Sequence, residues 1–441
     1  MYKNCSEYKK NKLNINLGIN DTKFLEEMIN LESIILPSGF YTKSDEKEYI
    51  INKVNGDYNY LNDEGINEKV ELSFYHLNDI YLLENELNSF IERYKYNFLE
   101  KTVDIVNEKV NQIIYDIIRI ISVNLEFMRK IDKIKFDVKK IKILIVEDYE
   151  NCYYVKDDNN NFYFVIGYYY YKKKLISLGK VDILSHEFAH LLIDETIGLE
   201  YNGESGSINE GLADIYGYCV NKYCLKNNFL KNENLIKWGF GEGVFDNNED
   251  GRIDEKDIIR KLSDEKTYPL SLEEKESKFI FLYDKNYKKI EIDEIEDKGG
   301  VHENSGIVNY FYYKCCEKID GEENLDILNL LIDSLTNSEL YINSKYKKNI
   351  TLLIFGYLIE NTVKNKKFTK DTFNEKYSEI ILKSLEETNL NKLCESSLYL
   401  SNDEKNDDNF IEKNQLKIIN WYKYISEENI FKENEIKKYI F

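Results

Sequence analysis

Histidine, proline and long apolar runs are all scarce in this chain. Its 441 residues include only 4 histidines and 2 prolines. No apolar run approaches the roughly 20 residues that a transmembrane helix needs, so we expect no membrane partner. The first residues include lysines but lack the apolar core that a signal peptide has. We therefore expect a protein that is cytoplasmic as synthesised, with export by another route as the alternative.

Charge and cysteine content narrow the classes of protein further. The formal net charge is −20, and acidic and basic residues are interspersed along the chain. This pattern argues against nucleic acid and anionic membranes as partners. With 42% hydrophobic residues, the chain can bury a sizeable core. The 7 cysteines are odd in number and irregularly spaced, which favours reduced thiols.

Three of the four histidines fall into short motifs. His186 and His190 lie in HEFAH, and His302 lies in GGVHENSGIVN. Residues four apart share one face of a helix, so the first two imidazoles can reach one metal ion. Glu187 lies beside them, where a base acting on metal-bound water is needed. The motif therefore predicts a metal site on a helix.

A third metal ligand follows along the chain. Glu210 lies 20 residues after His190, in the sequence NEGLAD. Two histidines and one carboxylate leave the fourth tetrahedral position of zinc open, which is typical of catalytic zinc sites and not of structural ones. The sequence therefore predicts a catalytic Zn²⁺ ion bound by His186, His190 and Glu210.

The segment DNNEDGRIDEKD has the side-chain spacing of a calcium-binding loop of the EF-hand kind. Its candidate ligands are Asp246, Asn248, Asp250, Asp254 and Asp257. The last of these stands where such loops usually have glutamate. The alternative is a solvated acidic turn, so calcium is a second cofactor that the sequence leaves open.

Periodicity predicts the main helices and strands. Apolar residues recur at helical spacing over 103–128, whereas 141–146 and 162–168 are rich in β-branched and aromatic residues, as strands are. The helix that carries HEFAH is predicted over 181–197, with Gly198 as its end. Further helices are predicted over 208–225, 308–319, 327–335, 350–363 and 373–385.

HEFAH, NEGLAD and GGVHENSGIVN, in this order and at this spacing, resemble the motifs of the thermolysin family of zinc metallopeptidases. A lone HExxH arises by chance in about 1 in 100 chains of this length, so the second and third motifs carry the resemblance. The resemblance implies an α+β fold with two lobes. An N-terminal α/β lobe and a mainly helical C-terminal lobe would hold the zinc cleft between them.

The same resemblance divides the chain into three parts. Residues 1–100 would be a divergent N-terminal segment, either a short pro-region, the start of the first lobe or a separate module. Residues 101–200 would be the N-terminal catalytic lobe with the HEFAH helix. Residues 201–441 would be the mainly helical C-terminal catalytic lobe with an extension at its end.

The resemblance also implies an endopeptidase that hydrolyses internal peptide bonds of a peptide or protein substrate. Glu187 would be the general base, and His302 and Tyr201 would stabilise the oxyanion. Asp297, which begins DKGGVH, would orient His302. Asp214 and Asn209 match positions that support the zinc ligands.

Substrate-binding residues are implied in the same way. Asn151 would hold the substrate backbone, and the carbonyl of Cys152 would accept a hydrogen bond from the substrate amine. Arg260, in IIRKLSD, would hold a substrate carbonyl. Ile183 and Ile259 match walls of an apolar pocket, so cleavage is expected before hydrophobic residues.

Three alternatives stay open at this point. The first is a catalytically inactive zinc-binding protein that acts as an interaction module. The second is a different class of zinc protease, against which the spacing of Glu210 and the GGVHENSG motif count. The third is a precursor whose N-terminal segment masks the site.

Overall fold

Helices and strands account for most of the residues that the computed structural model describes. Those residues are 56–61, 67–77, 108–131, 140–156, 162–171, 174–227, 237–241, 258–271, 297–319, 325–336, 350–364 and 375–392. They are mostly helical and include a mixed sheet, in line with the predicted α+β class. No helix among them is long and apolar enough to cross a membrane.

The chain forms two compact units. The first comprises Met1–Lys130, Ile134–Leu191 and Tyr216–Lys261, and the second comprises Ile131–Lys133, Leu192–Ile215 and Leu262–Phe441. The division into 1–100, 101–200 and 201–441, and the cleft between two lobes, stay predictions from the sequence.

Six strands form the sheet of the first unit. They are β1 Gly56–Leu61, β2 Asn67–Leu77, β3 Lys140–Glu147, β4 Cys152–Lys156, β5 Phe162–Tyr171 and β6 Lys174–Ser177. Their order is β1-β2-β3-β5-β4, and β6 also pairs with β5. Strands β2, β3 and β5 are parallel, whereas β1, β4 and β6 pair in antiparallel fashion. The strands predicted over 141–146 and 162–168 are confirmed as β3 and β5.

The central strands are buried on both faces. Ile143, Leu144 and Ile145 of β3 are consecutive and buried, and so are Phe164 and Val165 of β5. Continuous apolar runs of this kind are typical of parallel strands that are covered on both sides. Strand β4 pairs only with β5 among the described strands, at the end of the sheet order.

Helix α1, Glu108–Phe127, runs on into a 3₁₀ turn, Met128–Lys130. Its buried residues recur at helical spacing, as the sequence predicted, while 103–107 lie outside the described residues. The buried side-chain amide of Asn124 donates to the hydroxyl of Ser185, at 2.9 Å. This bond fixes α1 against the next helix, because an unsatisfied buried amide would be costly.

Helix α2, Val181–Thr196, carries HEFAH and is followed by helix α3, Gly203–Lys226. The predicted end at Gly198 is confirmed, since this glycine has φ +70° and its amide donates to the carbonyl of Ile193 at 2.7 Å. Helix α3 begins five residues before the predicted residue 208. Burial of Ser205 and Ser207 explains the extension, because tertiary packing outweighs the low helix propensity of this segment.

Four more helices belong to the second unit. They are α4 Asp297–Lys318, α5 Leu325–Thr336, α6 Leu352–Lys364 and α7 Glu375–Glu387. Helix α6 packs on α5 and α7, and α4 packs on the same two helices. The carboxylate of Glu204 accepts a hydrogen bond from the amide of Leu352 at 2.8 Å, which satisfies the start of α6. The predicted helices are confirmed. The regular part of α4 follows the non-helical residues Lys298, Gly299 and Gly300 and so begins before the predicted residue 308.

Helix α3 approaches α4 through glycine. A Cβ atom at Gly211 would lie 2.5 Å from Cβ of Val308, and one at Gly206 would lie 2.5 Å from Cγ1 of Val301. Neither neighbour can move far, because both valines are buried. The two glycines of α3 therefore set how closely the helix that carries Glu210 lies against α4.

Gly211→Ala tests this close approach. Helix propensity alone would make alanine more stable by about 1 kcal/mol, but overpacking against Val308 should make the variant less stable by about 1–3 kcal/mol. Urea unfolding measures the change. Gly306→Ala is the matched control, because its added Cβ would meet only the flexible side chain of Lys266. A Gly211→Ala variant as stable as the control would contradict the close contact.

Chemical labelling tests the burial of the thiols. The described cysteines, Cys152, Cys219, Cys224, Cys315 and Cys316, are free and buried. Burial raises the pKa of Cys315 to about 12 and also raises the pKa of Cys152 and Cys224. These three thiols should therefore label slowly in the native protein, with little acceleration between about pH 7 and about pH 9. Mass spectrometry with and without denaturant identifies each site, and fast native labelling at any of the three would contradict the burial.

Candidate metal centre and its surroundings

Helix α2 presents His186, Glu187 and His190 in a buried environment. The two histidines lie one turn apart, and their Nε2 atoms are 3.0 Å from each other. Both imidazoles therefore point to one spot, as the spacing of HEFAH predicted.

Glu210 of helix α3 completes a group of possible ligands. One ligand atom from each of His186, His190 and Glu210 lies within 4.8 Å of the other two. All three side chains are buried. Among the residues that the structure describes, these three form the group of histidine, cysteine and acidic side chains that could hold a metal ion.

The geometry of this group fits zinc. A zinc ion about 2.0–2.1 Å from two nitrogen ligands in tetrahedral geometry separates them by about 3.3 Å. The Nε2 atoms of His186 and His190 are 3.0 Å apart, close to that value. Two imidazoles and a carboxylate are the donor set of many catalytic zinc sites. The carboxylate of Glu210 also supplies the negative charge that a buried cation needs.

The carboxylate of Glu187 is held by the sheet. Its Oε2 accepts a hydrogen bond from the backbone amide of Tyr154 at 2.9 Å. Tyr154 belongs to β4, whose ladder pairs Tyr154 with Phe164. A backbone donor on a paired strand moves little, so the carboxylate is held in a defined place beside the histidines. This contact could not be predicted from the sequence, because every residue type except proline has a backbone amide to donate.

Asn151 and Cys152 lead into the same strand. The side-chain Oδ1 of Asn151 accepts a hydrogen bond from the amide of Cys152, at 2.9 Å. The carbonyl of Asn151 accepts one from Gly167, also at 2.9 Å. The thiol of Cys152 is buried, and the nearby carboxylate of Glu187 adds to the effect of burial in raising its pKa. The structure therefore fixes the start of β4, while the substrate-binding roles of these residues stay predictions.

Tyr201, Glu210, Asp297 and His302 form one cluster of contacts in the second unit. The hydroxyl of Tyr201 donates to the carboxylate of Glu210 and lies 3.3 Å from Nε2 of His302. The same Nε2 is 3.4 Å from the carboxylate of Glu210. His302 contacts Asp297 through Nδ1, and its backbone amide donates to Asp297 at 3.1 Å. The structure thus brings together four residues that the sequence motifs had singled out.

An unusual turn precedes His302. Four consecutive residues have positive φ angles: Asp297 at 50°, Lys298 at 46°, Gly299 at 96° and Gly300 at 76°. Glycine adopts this region readily, but aspartate and lysine do so at a cost in free energy. The turn places the carboxylate of Asp297 against the ring of His302, which lies five residues later.

Asp214 and Asn209 are buried on helix α3. The carboxylate of Asp214 accepts a hydrogen bond from the side-chain amide of Asn309 at 2.8 Å, so it joins α3 to α4. The expected role of Asp214 and Asn209 in supporting the zinc ligands stays a prediction.

The side chains of Arg260 and His186 both pack on the aromatic ring of Phe240. A short ribbon pairs β7, Gly239–Phe240, with β8, Arg260–Lys261. The guanidinium of Arg260 lies 5.4 Å from the ring centroid of Phe240, which lies 5.3 Å from the ring of His186. The carboxylate of Asp182 accepts a hydrogen bond from Gly241 at 2.7 Å and ties the ribbon to α2. The packing of Phe240 on a predicted zinc ligand was not predicted from the sequence.

Ile183 and Ile259, the expected walls of an apolar pocket, differ in exposure. Ile183 of α2 is buried, whereas Ile259 is 41% exposed. A Cβ atom at Gly241 would lie 2.4 Å from the side chain of Ile259, so Ile259 covers the ribbon at this glycine. Their role as pocket walls stays a prediction.

The predicted calcium loop lies outside the described residues. Asp246, Asn248, Asp250, Asp254 and Asp257 all fall in the gap between 241 and 258. Calcium binding therefore stays a prediction from the spacing of these side chains.

Comparison with known proteins identifies relatives of the chain. The model of the thermolysin metallopeptidase alpha-helical domain matches residues 197–375. Bacillolysin from Bacillus caldolyticus and thermolysin from Alicyclobacillus acidocaldarius are each 32% identical over 135 residues, 31% of this chain. These 135 residues span 20% of each relative's own length. A precursor of protealysin, a metalloproteinase from Serratia proteamaculans, superposes with a TM-score of 0.43 at 17% identity, covering 66% of this chain and 81% of that one.

The family match contains all four residues of the cluster described above. Tyr201, Glu210, Asp297 and His302 lie within residues 197–375. The chain is therefore related to the thermolysin-like metallopeptidases, as its sequence motifs predicted.

Proposed function

We propose that this protein is a zinc-dependent endopeptidase that hydrolyses internal peptide bonds, preferably before hydrophobic residues. The observation that carries the proposal is the convergence of His186, His190 and Glu210, whose ligand atoms lie within 4.8 Å of one another. Glu187 lies on the same helix as the two histidines, between them in sequence. Zinc bound there would supply Lewis acidity, which acidifies a water molecule and polarises a substrate carbonyl.

Glu187 is the proton-transfer group of the proposed reaction. It takes a proton from the attacking water and later delivers that proton to the nitrogen of the leaving amine. No net proton is gained or lost, so the carboxylate returns to its first state after each cleavage. The hydrogen bond from the amide of Tyr154 keeps Oε2 in place.

His302 and Tyr201 are the proposed donors to the oxyanion that forms when water adds to the carbonyl. Asp297 occupies the Nδ1 side of His302, so Nε2 is the ring nitrogen that faces Tyr201 and Glu210. The hydroxyl of Tyr201 donates to Glu210 in the structure. It can donate to a substrate only after exchanging that hydrogen bond. Once that exchange has been made on substrate binding, both donors would stabilise the developing charge without further reorganisation.

The proposed substrate contacts come from the start of β4, from α2 and from the segment that includes Ile259 and Arg260. Asn151 and the carbonyl of Cys152 would hold the substrate backbone at the start of β4, and Arg260 would hold a substrate carbonyl. Ile183 and Ile259 would favour a hydrophobic side chain after the cleaved bond. Support comes from position alone: strand β4 contacts Glu187 through Tyr154, and Arg260 contacts His186 through Phe240.

Glu187→Gln separates chemistry from metal binding. Because the amide can still accept from Tyr154 but cannot take a proton, we expect one zinc ion per chain and loss of at least about 10³-fold in kcat. Metal analysis and cleavage of an unbiased peptide mixture measure the two properties. Glu195→Gln, an exposed change on the same helix, is the control and should keep both.

His190→Ala should instead lose zinc and activity together, and a chelator should do the same to the wild-type protein. A wild-type protein that binds zinc and cleaves no peptide would overturn the proposal. It would favour an inactive zinc-binding interaction module or a masked precursor.

His302→Ala tests the oxyanion donors. Loss of one such donor typically lowers kcat by about 10²–10³-fold, and KM should change little because the donor acts in the transition state. Asp297→Asn should have a smaller effect of the same kind, since it weakens only the orientation of His302. Steady-state kinetics on a peptide identified in the mixture measures both. A His302→Ala variant with normal kcat and raised KM would assign His302 to substrate binding instead.

A further inference from the structure

Lys298 lies in the left-handed turn before His302, in a backbone conformation that suits glycine better than lysine. Its φ is 46° and its ψ is 33°, and it is followed by two glycines with positive φ. Lysine at such a position costs free energy relative to glycine. A residue kept in an unfavourable conformation beside a functional cluster suggests that its side chain has a use there.

The side chain of Lys298 contacts Tyr201. Its Nζ lies 4.6 Å from the centroid of the Tyr201 ring. This is within the roughly 6 Å at which an ammonium group is attracted to the face of an aromatic ring. Lys298 is exposed, so the attraction is of the weaker kind found at a protein surface.

The turn therefore serves two residues of the cluster at once. Asp297 contacts the ring of His302, and Lys298 contacts the ring of Tyr201. The hydroxyl of Tyr201 and Nε2 of His302 are 3.3 Å apart. Two adjacent residues of one turn thus hold the two rings whose polar atoms face each other.

We propose that Lys298 is a positioning residue, which holds the ring of Tyr201 beside His302 by stacking its ammonium group on the ring face. The inference rests on the proposed function, because the cluster then contributes the oxyanion donors. The ammonium group orients the phenol ring and places a positive charge next to the site where negative charge would develop. It touches neither the substrate nor the metal.

Three substitutions separate the charge from the backbone conformation. Lys298→Met removes the ammonium group, and Lys298→Gly removes it while suiting the left-handed turn. Lys298→Arg keeps a cation that stacks on aromatic rings. We expect kcat to fall about threefold in the first two variants, with KM unchanged, and to stay near the wild-type value in the third.

Lys314→Met is the matched control. Lys314 also lies over a tyrosine ring, with its Nζ 5.8 Å from the centroid of Tyr310, and it lies on the same helix as His302. It is 12 residues beyond His302, or about 18 Å along a helix. The control should leave kcat unchanged. An equal loss of kcat in the control would overturn the proposal, because it would show a general effect of surface charge.

A second measurement needs no enzymatic activity. When Tyr201 is present, Lys298→Met should change the equilibrium constant for unfolding by about threefold more than it does when the Tyr201 ring is absent. The factor should persist in a Tyr201→Phe background, which keeps the ring, and vanish in a Tyr201→Leu background. A double-mutant cycle in urea gives these factors for the full-length protein.

The outcomes separate this inference from the proposed function. Absence of coupling between Lys298 and the Tyr201 ring overturns the inference, whether or not the protein cleaves peptides. Normal kcat in Lys298→Gly together with a loss in Lys298→Met also overturns it, because the backbone alone would then explain the effect. Coupling in a wild-type protein that cleaves no peptide supports the contact and overturns only the proposed function.

Discussion

The convergence of two imidazoles on one spot is the constraint on which the rest of the site depends. His186 and His190 are one turn apart on a buried helix, and their Nε2 atoms are only 3.0 Å from each other. Two nitrogen lone pairs facing each other in a buried setting need a shared cation or a shared proton. The carboxylate of Glu210 lies within reach of both imidazoles and would supply the negative charge that a shared cation needs, while Phe240 packs on the ring of His186.

The backbone near α2 is held in place by groups that take no part in the proposed reaction. Asp182 ties the ribbon of β7 and β8 to α2, and Tyr154 ties β4 to Glu187. In the second unit, Gly211 lets α3 lie against α4, which brings Tyr201 and Glu210 into contact with His302. The arrangement of these side chains thus depends on close packing of the backbone and on buried hydrogen bonds. A small distortion of either would disturb it.

The helices and the pair of histidines could be predicted from the sequence because both depend on local patterns, such as the spacing in HEFAH. The pairing of Asp297 with His302 was instead implied by the resemblance of the motifs to the thermolysin family, and the structure shows the contact. The contacts of Phe240, Tyr154 and Lys298 were not predicted, because they join residues that are distant in sequence or use a backbone atom. The early start of α3 was missed for a related reason: burial, and not propensity, decides the conformation of Ser205 and Ser207.

The hydrogen bond from Tyr154 to Glu187 has an evolutionary consequence. Since the donor is a main-chain amide, nineteen of the twenty amino acids can supply it, and only proline cannot. The identity of residue 154 is thereby released from maintaining the position of the Glu187 carboxylate and is free to drift under other pressures, such as the shape of a ligand. The Glu187 carboxylate is thus anchored by an attachment that nearly any substitution at position 154 would preserve.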